Sequence, residues 1–180
     1  MIKTEYDRFQ LKDGRIVIFD ELKEHDLPKL IEVFNSVIEE GIYFHRNEGL
    51  PDLEAATQWY QNHIKAGLFY LAARVDGELA GGATIEPGPG KASHVAYFGI
   101  YLKRQFRIMG IGTRLIKRII EIARQKGFEM IKLTVFSSNR QAFRLYQKFG
   151  FQEAGRIKDG VKFLDGTYAD EVVMVLKLKT

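Results

Sequence analysis

A glycine- and arginine-rich junction is the part of the sequence best suited to chemistry. Between two apolar segments the chain reads KRQFRIMGIG, in which three cations precede two glycines: Lys103, Arg104, Arg107, Gly110 and Gly112. Free N–H groups at a helix start, together with the helix dipole, favour an anion there. The cations would add charge and guanidinium hydrogen bonds. The segment alone leaves two interpretations open, a phosphate-binding loop or a tight turn with solvated bases.

Two common phosphate-binding motifs do not fit this segment. A Walker loop requires a Lys-Ser or Lys-Thr pair after its glycines, and none follows here. A dinucleotide-binding fingerprint requires a third glycine, and Arg114 stands where the helix already continues. A single Gly-x-Gly is therefore too weak to assign a function without a second feature.

A segment one strand further along supplies that feature. From Asn139 to Phe151 the chain reads NRQAFRLYQKFGF. Together with RQFRIMGIGTRLI, it resembles the two signature segments of the GNAT acetyltransferase superfamily. The earlier segment resembles the Arg/Gln-x-x-Gly-x-Gly/Ala phosphate loop, and the later one resembles the Asn-x-x-Ala-x-x-Leu-Tyr-x-x-x-Gly-Phe element. The resemblance extends over residues 15–178 in element order and over 94–157 in motif detail.

The resemblance implies a fold and a reaction. In GNAT proteins a twisted, mostly antiparallel sheet splays between its fourth and fifth strands, which would here be residues 94–102 and 130–136. Acetyl-CoA lies in the splay and gives its acetyl group to an amine by direct attack in a ternary complex. The resemblance assigns to coenzyme binding these residues: Ile100, Leu102, Arg107, Met109, Gly110, Ile111, Gly112, Thr113, Asn139, Ala142, Tyr146 and Lys148.

Tyr146 is the residue that the resemblance places beside the sulfur. An amine that attacks the thioester puts negative charge on the carbonyl oxygen, which a fixed strand N–H would stabilise. The leaving thiolate belongs to a thiol with a pKa of about 8.5, and a phenol with a pKa of about 10 can protonate it or hydrogen-bond to it. Tyr146 is thus a candidate catalytic residue, although such an aromatic residue would otherwise be assigned to the core.

The general base of the family has no counterpart at the expected position. Many GNAT members carry a glutamate ten residues before the arginine of the phosphate loop, and here that position is Tyr97. Three explanations stay open: a water positioned by Tyr97, another group such as Glu86, His94 or an acid near the C-terminus, or an acceptor that arrives as a free amine. We favour the water and take Tyr97 as the second candidate catalytic residue.

In this fold the link between the first two helices and the last hairpin build the acceptor pocket. The corresponding candidates are Tyr43, Phe44, His45, Arg46, Trp59, Asp165, Asp170 and Glu171. Aromatic rings with carboxylates would suit a cationic amine. Each of these residues could instead be structural, with the aromatic rings covering the edge of the core and the charged groups solvated. No metal is expected, because the histidines at 25, 45, 63 and 94 lack ligand spacing.

Composition narrows the class of protein further. The chain has 180 residues, of which 46% are apolar and 12% aromatic, enough for one packed core. Because 27 Lys and Arg are interspersed with 23 Asp and Glu, we expect a local anion site rather than a nucleic-acid-binding surface. The absence of cysteine excludes disulfides and thiolate nucleophiles. No apolar run approaches the ~20 residues of a membrane span and no secretion signal is recognised, so a cytoplasmic protein without membrane partners is expected.

Hydrophobic periodicity predicts one mixed α/β domain over residues 1–180, with its folded core at about 15–178. The expected strands are about seven: 15–19, 68–75, 79–85, 94–102, 130–136, 151–157 and 171–178. The expected helices are four: 27–40 with Asp26 as its N-cap, 52–66, 111–126 and 139–149. The three strands within 68–102 predict antiparallel pairing, and the strand–helix–strand order at 94–136 predicts a parallel crossover.

Three functions from different classes remain at this point. The leading one is a CoA-dependent N-acetyltransferase that acts on a small-molecule amine, an amino acid or a protein amine. The alternative is a non-catalytic acyl-CoA-binding module that has lost the base. A nucleic-acid-binding helix face with Arg114, Lys117, Arg118 and Arg124 is a third, weakened by Glu121 on the same face. The oligomeric state stays open, with a homodimer as one option.

Overall fold

The computed structural model describes residues 5–178, and over them the chain forms eight strands and four helices. The strands are β1 (Glu5–Gln10), β2 (Ile16–Glu21), β3 (Phe69–Val75), β4 (Glu78–Pro87), β5 (Val95–Leu102), β6 (Met130–Phe136), β7 (Gln152–Lys162) and β8 (Tyr168–Lys177). The helices are α1 (Leu27–Ile38), α2 (Leu53–Lys65), α3 (Ile111–Gln125) and α4 (Arg140–Lys148). The mixed α/β class and the four helices agree with the sequence prediction.

All eight strands form one sheet in the order β1-β2-β3-β4-β5-β6-β8-β7. The pairing is antiparallel throughout, except that β5 and β6 run parallel. The predicted antiparallel run β3-β4-β5 is confirmed, and so is the parallel crossover through α3. None of the helices described between residues 5 and 178 has the length and apolar character of a membrane span.

The sheet has eight strands where about seven were expected, because β1 was not recognised in the sequence. Its sequence EYDRFQ has no simple alternation of apolar and polar residues. The pairing with β2 is irregular between Glu5 and Asp7. This irregularity lets Tyr6 and Phe9, three residues apart, both pack on the core, with ring centroids 5.5 Å from those of Phe69 and Phe19 respectively. Such a bulge breaks the period of two on which strand prediction rests.

Helices cover both faces of the sheet and bury separate apolar clusters. On one face α3 contributes Leu115, Ile119 and Ile122 to a cluster that also includes residues of α4. On the other face Leu27 and Leu30 of α1 pack with residues of α2, β3 and β4. The sheet therefore has a face covered by α3 and α4 and a face covered by α1 and α2, and any opening through it connects the two.

The start of α1 differs from its prediction. Asp26 makes no side-chain cap to the helix. Its carboxylate instead accepts hydrogen bonds from the Lys23 N–H at 2.9 Å and from two guanidinium nitrogens of Arg74 at 3.0 and 2.8 Å. Asp26 thus anchors the helix start to β3. The cap predicted for α2 is confirmed, since Asp52 Oδ1 accepts from the Ala55 N–H at 2.8 Å.

The sheet opens between β5 and β6, the fifth and sixth strands in chain order. Their parallel pairing covers three register pairs and ends at Tyr97 and Lys132. Beyond this point β5 continues against β4 as far as Leu102, and β6 continues against β8 as far as Phe136. Each strand therefore follows its outer neighbour, and a wedge-shaped gap, hereafter the splay, widens toward the start of α3.

Candidate active site

A cavity of about 530 Å³ occupies the splay. Its walls come from β5, β6, the start of α3, one side of α4 and the link between α1 and α2. Of the predicted site residues, these line it: Tyr97, Ile100, Leu102, Arg107, Gly110, Gly112, Thr113, Asn139, Ala142 and Tyr146. Met109, Ile111 and Lys148 do not. The Ile111 side chain is fully buried in the core and Lys148 is exposed.

The loop before α3 presents a run of unpaired backbone donors. The Arg107 N–H bonds to Arg104 O and the Arg114 N–H bonds to Gly110 O. Between them, the six N–H groups of residues 108–113 have no backbone acceptor in the described part of the chain. Successive free N–H groups at a helix N-terminus form a concave seat for an anion, and the helix dipole adds to its attraction.

Two residues of this loop have left-handed backbone conformations. Gly110 has φ +83°, which a glycine adopts freely. Ile108 has φ +62° and is 88% exposed, which is costly for a β-branched residue and gains it no burial. Strain of this kind costs about 1–3 kcal/mol and tends to occur where a loop binds a ligand. The conformation turns the N–H groups toward the cavity rather than serving the core.

Two of the three cations before the glycines, Lys103 and Arg107, are engaged elsewhere, contrary to the expectation that they would serve an anion. Arg107 Nε donates to Leu102 O at 2.8 Å, and its terminal nitrogens bond to the Glu40 carboxylate and to Tyr43 Oη. Lys103 Nζ lies 3.0 Å from a Glu32 oxygen. The guanidinium of Arg107 therefore ties the phosphate-loop segment to the end of α1, and the anion seat consists of backbone.

We expect the Arg107–Glu40 pair to contribute to stability as a coupled unit. Both side chains are about four-fifths buried, so Arg107→Met should lower the free energy of unfolding by about 2 kcal/mol. In a double-mutant cycle with Glu40→Met, urea unfolding should give a coupling of about 1–2 kcal/mol. Additive losses would contradict this role.

Backbone groups of β5 face the splay. The Lys103 N–H donates to Ala80 O, and Val95 O accepts from the Gly88 N–H. The odd-numbered residues of β5 therefore point their backbone groups at β4, and the even-numbered ones point toward β6. Because pairing with β6 ends at Tyr97, Ile100 N–H and C=O and the Leu102 N–H lack a strand partner in the described chain. They can hydrogen-bond an extended ligand that lies along β5.

Helix α4 closes the other side of the cavity. Asn139 Oδ1 accepts from the Ala142 N–H at 3.2 Å and so caps the helix. Its amide nitrogen remains available to the cavity, which Ala142 also lines. One turn further on, Tyr146 is 7% exposed, with ring centroids 6.1 Å from Phe98 and 5.8 Å from Phe151.

The Tyr146 hydroxyl has no protein partner within residues 5–178, although most of its ring is buried. None of residues 5–178 accepts a hydrogen bond from it, yet its side chain lines the cavity. Burial raises the pKa of the Tyr146 phenol well above its ordinary value. The group is therefore protonated at every pH at which the protein would work, and its hydrogen is free to be donated to whatever enters the splay.

Tyr97 lies on the opposite face from Tyr146, the face covered by α1 and α2. Tyr97 and Tyr101 share this face, and the Tyr101 ring packs 5.4 Å from that of Phe34 in α1. Strand register places Glu86 of β4 on one side of Tyr97 and Lys132 of β6 on the other. Lys132 Nζ is 4.9 Å from the Tyr97 ring centroid.

The other base candidates are less well placed. His94 precedes β5, is exposed, and does not line the cavity. Glu86 is half-buried and shares a face with Tyr97 but is not part of the cavity wall. Glu171 Oε2 lies 3.7 Å from His45 Nε2, and Glu171 is not part of the cavity wall. Tyr97 thus occupies the position of the missing glutamate, and the carboxylate of Glu86 lies on the neighbouring strand β4.

The predicted acceptor residues divide into two groups. Tyr43, Phe44 and His45 line the cavity. The remainder do not line it: Arg46, Trp59, Asp165, Asp170 and Glu171. Trp59 packs against His63, and Asp170 is paired with Arg156 at 2.8 Å. None of the three expected acids, Asp165, Asp170 and Glu171, is part of the cavity wall.

Two functional candidates were missed from the sequence, Lys132 and Phe98. Both line the cavity, and both lie inside predicted strands. Lys132 interrupts the apolar run MIKLTVF, which is the one signal that could have marked it. Over residues 5–178 no group of three or more His, Cys, Asp or Glu could hold a metal ion.

Comparison with known proteins decides the family. Residues 32–151 match the sequence model of the acetyltransferase (GNAT) family. The chain belongs to the GNAT family. The match covers both signature segments, and the resemblance inferred from them is confirmed.

Individual GNAT relatives cover most of the chain. The L-methionine sulfoximine/L-methionine sulfone acetyltransferase of Pseudomonas aeruginosa is 27% identical over 158 residues, 85% of this chain and 90% of that protein. The L-amino acid N-acetyltransferase AaaT of Escherichia coli is 32% identical over 61% of this chain and 68% of its own. A GNAT superfamily phosphinothricin acetyltransferase of Sinorhizobium meliloti, solved in complex with AcCoA, has a TM-score of 0.83 at 18% identity, covering 91% and 89% of the two chains. This last likeness concerns the fold.

Proposed function

We propose that this protein is an N-acetyltransferase that moves the acetyl group of acetyl-CoA to the primary amine of a small molecule, with an amino acid as the favoured acceptor. The observation that carries the proposal is the run of six unpaired N–H groups at the start of α3, which opens into the same cavity as the Tyr146 hydroxyl. The names of the relatives, which refer to amino acids and their analogues, support the choice of acceptor.

The donor fits the cavity through backbone groups. Its diphosphate would be held by the N–H groups of residues 108–113, and its pantetheine arm by β5 at Ile100 and Leu102 and by the Asn139 amide. Bound acetyl-CoA supplies the activated thioester. The N–H groups of β5 that face the splay are fixed donors, and such a donor stabilises the negative charge that grows on the carbonyl oxygen, which is worth ~2.7–4 kcal/mol in other acyl-transfer enzymes.

Tyr146 would serve the leaving group. As the amine nitrogen bonds to the carbonyl carbon, the carbon–sulfur bond breaks and its electron pair stays on sulfur. The Tyr146 O–H donates a hydrogen bond to that sulfur and stabilises its negative charge, and the phenol keeps its proton because burial raises its pKa above that of the thiol. The proton lost by the amine leaves on the opposite face of the sheet, where Tyr97 would position a water.

The amine-side proton route can be tested by pH–rate profiles. We expect Tyr97→Phe to lower kcat about 10- to 100-fold, because the water loses its hydrogen-bond partner. Glu86→Gln should lower kcat less than Tyr97→Phe does, since Glu86 is the register neighbour of Tyr97 but is not part of the cavity wall. His94→Ala, which changes an exposed side chain outside the cavity, should leave the profile unchanged. Profiles unaltered in both Tyr97→Phe and Glu86→Gln would indicate an acceptor that arrives as a free amine.

The proposed function itself is tested by two measurements on the unmodified protein. Calorimetry with coenzyme A should detect binding. Thiol release from acetyl-CoA should rise above the hydrolysis rate when L-amino acids are added, and mass spectrometry should find the N-acetyl product. Binding without acetyl transfer to any amine would favour the alternative, a non-catalytic acyl-CoA-binding module, which the missing glutamate at position 97 suggests. A cytoplasmic location and a homodimer stay predictions.

A further inference from the structure

Lys132 places an ammonium group in the half of the cavity that faces α1 and α2. It is the last residue of β6 that pairs with β5, so it lies at the narrow end of the splay. Its Nζ is 4.9 Å from the Tyr97 ring centroid. Val175 lies directly opposite it on β8. Across residues 5–178, no carboxylate oxygen comes within 4.0 Å of this nitrogen.

The lack of an acid partner distinguishes Lys132 from the other basic side chains of the cavity wall. The Arg107 guanidinium is paired with Glu40, and the His45 ring lies beside Glu171. Lys132 is half-buried and has only an aromatic face to complement its charge. An ammonium group that has lost part of its hydration is stabilised by an anion and repels a second cation.

The anion that would pair with Lys132 is not the coenzyme diphosphate. The proposed diphosphate seat begins beyond Leu102, five residues along β5 from Tyr97. At ~3.3 Å per residue this is about 16 Å from the level of Lys132. An anion beside Lys132 must therefore belong to the acceptor, which would enter on the Tyr97 side.

We propose that Lys132 binds the carboxylate of the acceptor and so selects amines that carry a carboxylate over amines that do not. The inference rests on the proposed acetyl transfer and identifies a specificity-determining residue for it. Tyr97 separates the two charges: the carboxylate would lie on Lys132, and the amine would point along β5 toward the free N–H groups near Ile100. An amino acid would bring its carboxylate to the Lys132 ammonium group, whereas a simple cationic amine would meet an uncompensated positive charge.

The test compares matched acceptors that differ in whether they carry a carboxylate or a carboxamide. The kcat/KM values for L-amino acids and for their carboxamides are measured with acetyl-CoA in wild type, Lys132→Met and Lys132→Arg. We expect the acid-to-amide ratio to fall about 10- to 100-fold in Lys132→Met, mostly through KM, because a hydrogen bond to a charged group is lost. Lys132→Arg should keep most of the preference. Coenzyme A affinity should not change in either variant.

A matched control is available elsewhere on the surface. Lys126 Nζ lies 5.0 Å from the Phe69 ring centroid, so it repeats the ammonium–aromatic contact outside the cavity. Lys126→Met should leave the acid-to-amide ratio unchanged. Thermal unfolding and coenzyme A calorimetry check that each variant is folded, and Lys132→Gln replaces Lys132→Met should the latter fail to fold.

The outcomes separate this inference from the proposed function. An unchanged acid-to-amide ratio in Lys132→Met, or an equal loss of kcat with both acceptors, would overturn the role of Lys132 while leaving acetyl transfer intact. Wild-type protein that binds coenzyme A but acetylates no amine would overturn the proposed function, and the inference with it. A ratio that falls in Lys132→Met and recovers in Lys132→Arg supports both.

Discussion

Replacing Gly112 with aspartate should abolish coenzyme A binding and at the same time stabilise the protein slightly. An ideal Cβ at Gly112 meets no atom closer than Leu102 Cδ1 at 3.9 Å, so the folded chain can accept a side chain there. A carboxylate in the first turn of α3 interacts favourably with the helix dipole, by about 0.3–1 kcal/mol, and removing a helical glycine adds to this. The same carboxylate occupies the anion seat and repels an incoming diphosphate.

The expected sizes of the two effects are different enough to separate. Loss of two or more charge-assisted hydrogen bonds should weaken coenzyme A binding at least about 100-fold in calorimetry. The midpoint of thermal unfolding should rise by a few degrees, as about 1 kcal/mol implies for a chain of this length. Because stability and binding move in opposite directions, unfolding cannot account for the loss.

Gly155→Asp supplies the matched control. Gly155 lies on β7, and no atom lies within 4 Å of an ideal Cβ at this position. The variant adds the same charge to the same protein far from α3, so coenzyme A affinity should stay within about twofold of wild type. Equal affinities for Gly112→Asp and wild type would show that the start of α3 is not the anion seat.

The parts of the fold that the sequence predicts are those with strong local signals. The α3 segment repeats apolar residues at helical spacing, and its buried set includes Leu115, Ile119 and Ile122. Glycines or caps mark the ends of most helices, as Asp52 does for α2. The paired motifs around Gly110 and Tyr146 both reach the splay, because one strand between them suffices to bring them to the same cavity.

The parts that sequence analysis missed depend on contacts between distant segments. β1 was not predicted because a bulge interrupts the alternation of its side chains between the two faces of the sheet. Arg107 was expected to hold an anion, but Glu40, 67 positions earlier, binds its guanidinium. Lys132 carried no motif, and its place beside Tyr97 follows only from the parallel register of β5 and β6.

The division of the cavity follows from the sheet itself. A strand points successive side chains to opposite faces, so the splay exposes the α3–α4 face and the α1–α2 face to one cavity. Tyr146 reaches the cavity from the first face, and Tyr97 and Lys132 reach it from the second. Donor chemistry and acceptor recognition can therefore use separate side chains around one reacting centre. A substitution on one face should then alter the kinetic parameters for one of the two substrates.

The second large effect is expected for Tyr146→Phe, which should lower kcat about 100-fold with coenzyme A affinity within about twofold of wild type. Positioned proton donors contribute ~10²–10⁴-fold to rates. The ring contacts with Phe98 and Phe151 persist in phenylalanine, so the cavity wall keeps its shape. The lost hydroxyl has no protein partner in the described chain, and the free energy of unfolding should change by less than about 0.5 kcal/mol.

The pH dependence of this variant distinguishes a hydrogen-bond donor from a titrating group. Because burial raises the pKa of the Tyr146 phenol, the hydroxyl stays protonated across the range from about pH 6 to 9. The ratio of wild-type to Tyr146→Phe rates should then be the same at every pH in that range. Single-turnover measurement of thiol release is the appropriate assay, because slow product release would otherwise conceal the chemical step.

Tyr60→Phe is the control for the loss of a phenol hydroxyl as such. Tyr60 belongs to α2, donates to Leu22 O at 3.3 Å and lies outside the cavity, so the loss of its hydroxyl should leave kcat unchanged. Unaltered single-turnover rates in Tyr146→Phe would remove Tyr146 from the leaving-group role. The thiolate would then have to depart without a protein donor, which its pKa of about 8.5 permits far better than an alkoxide's would.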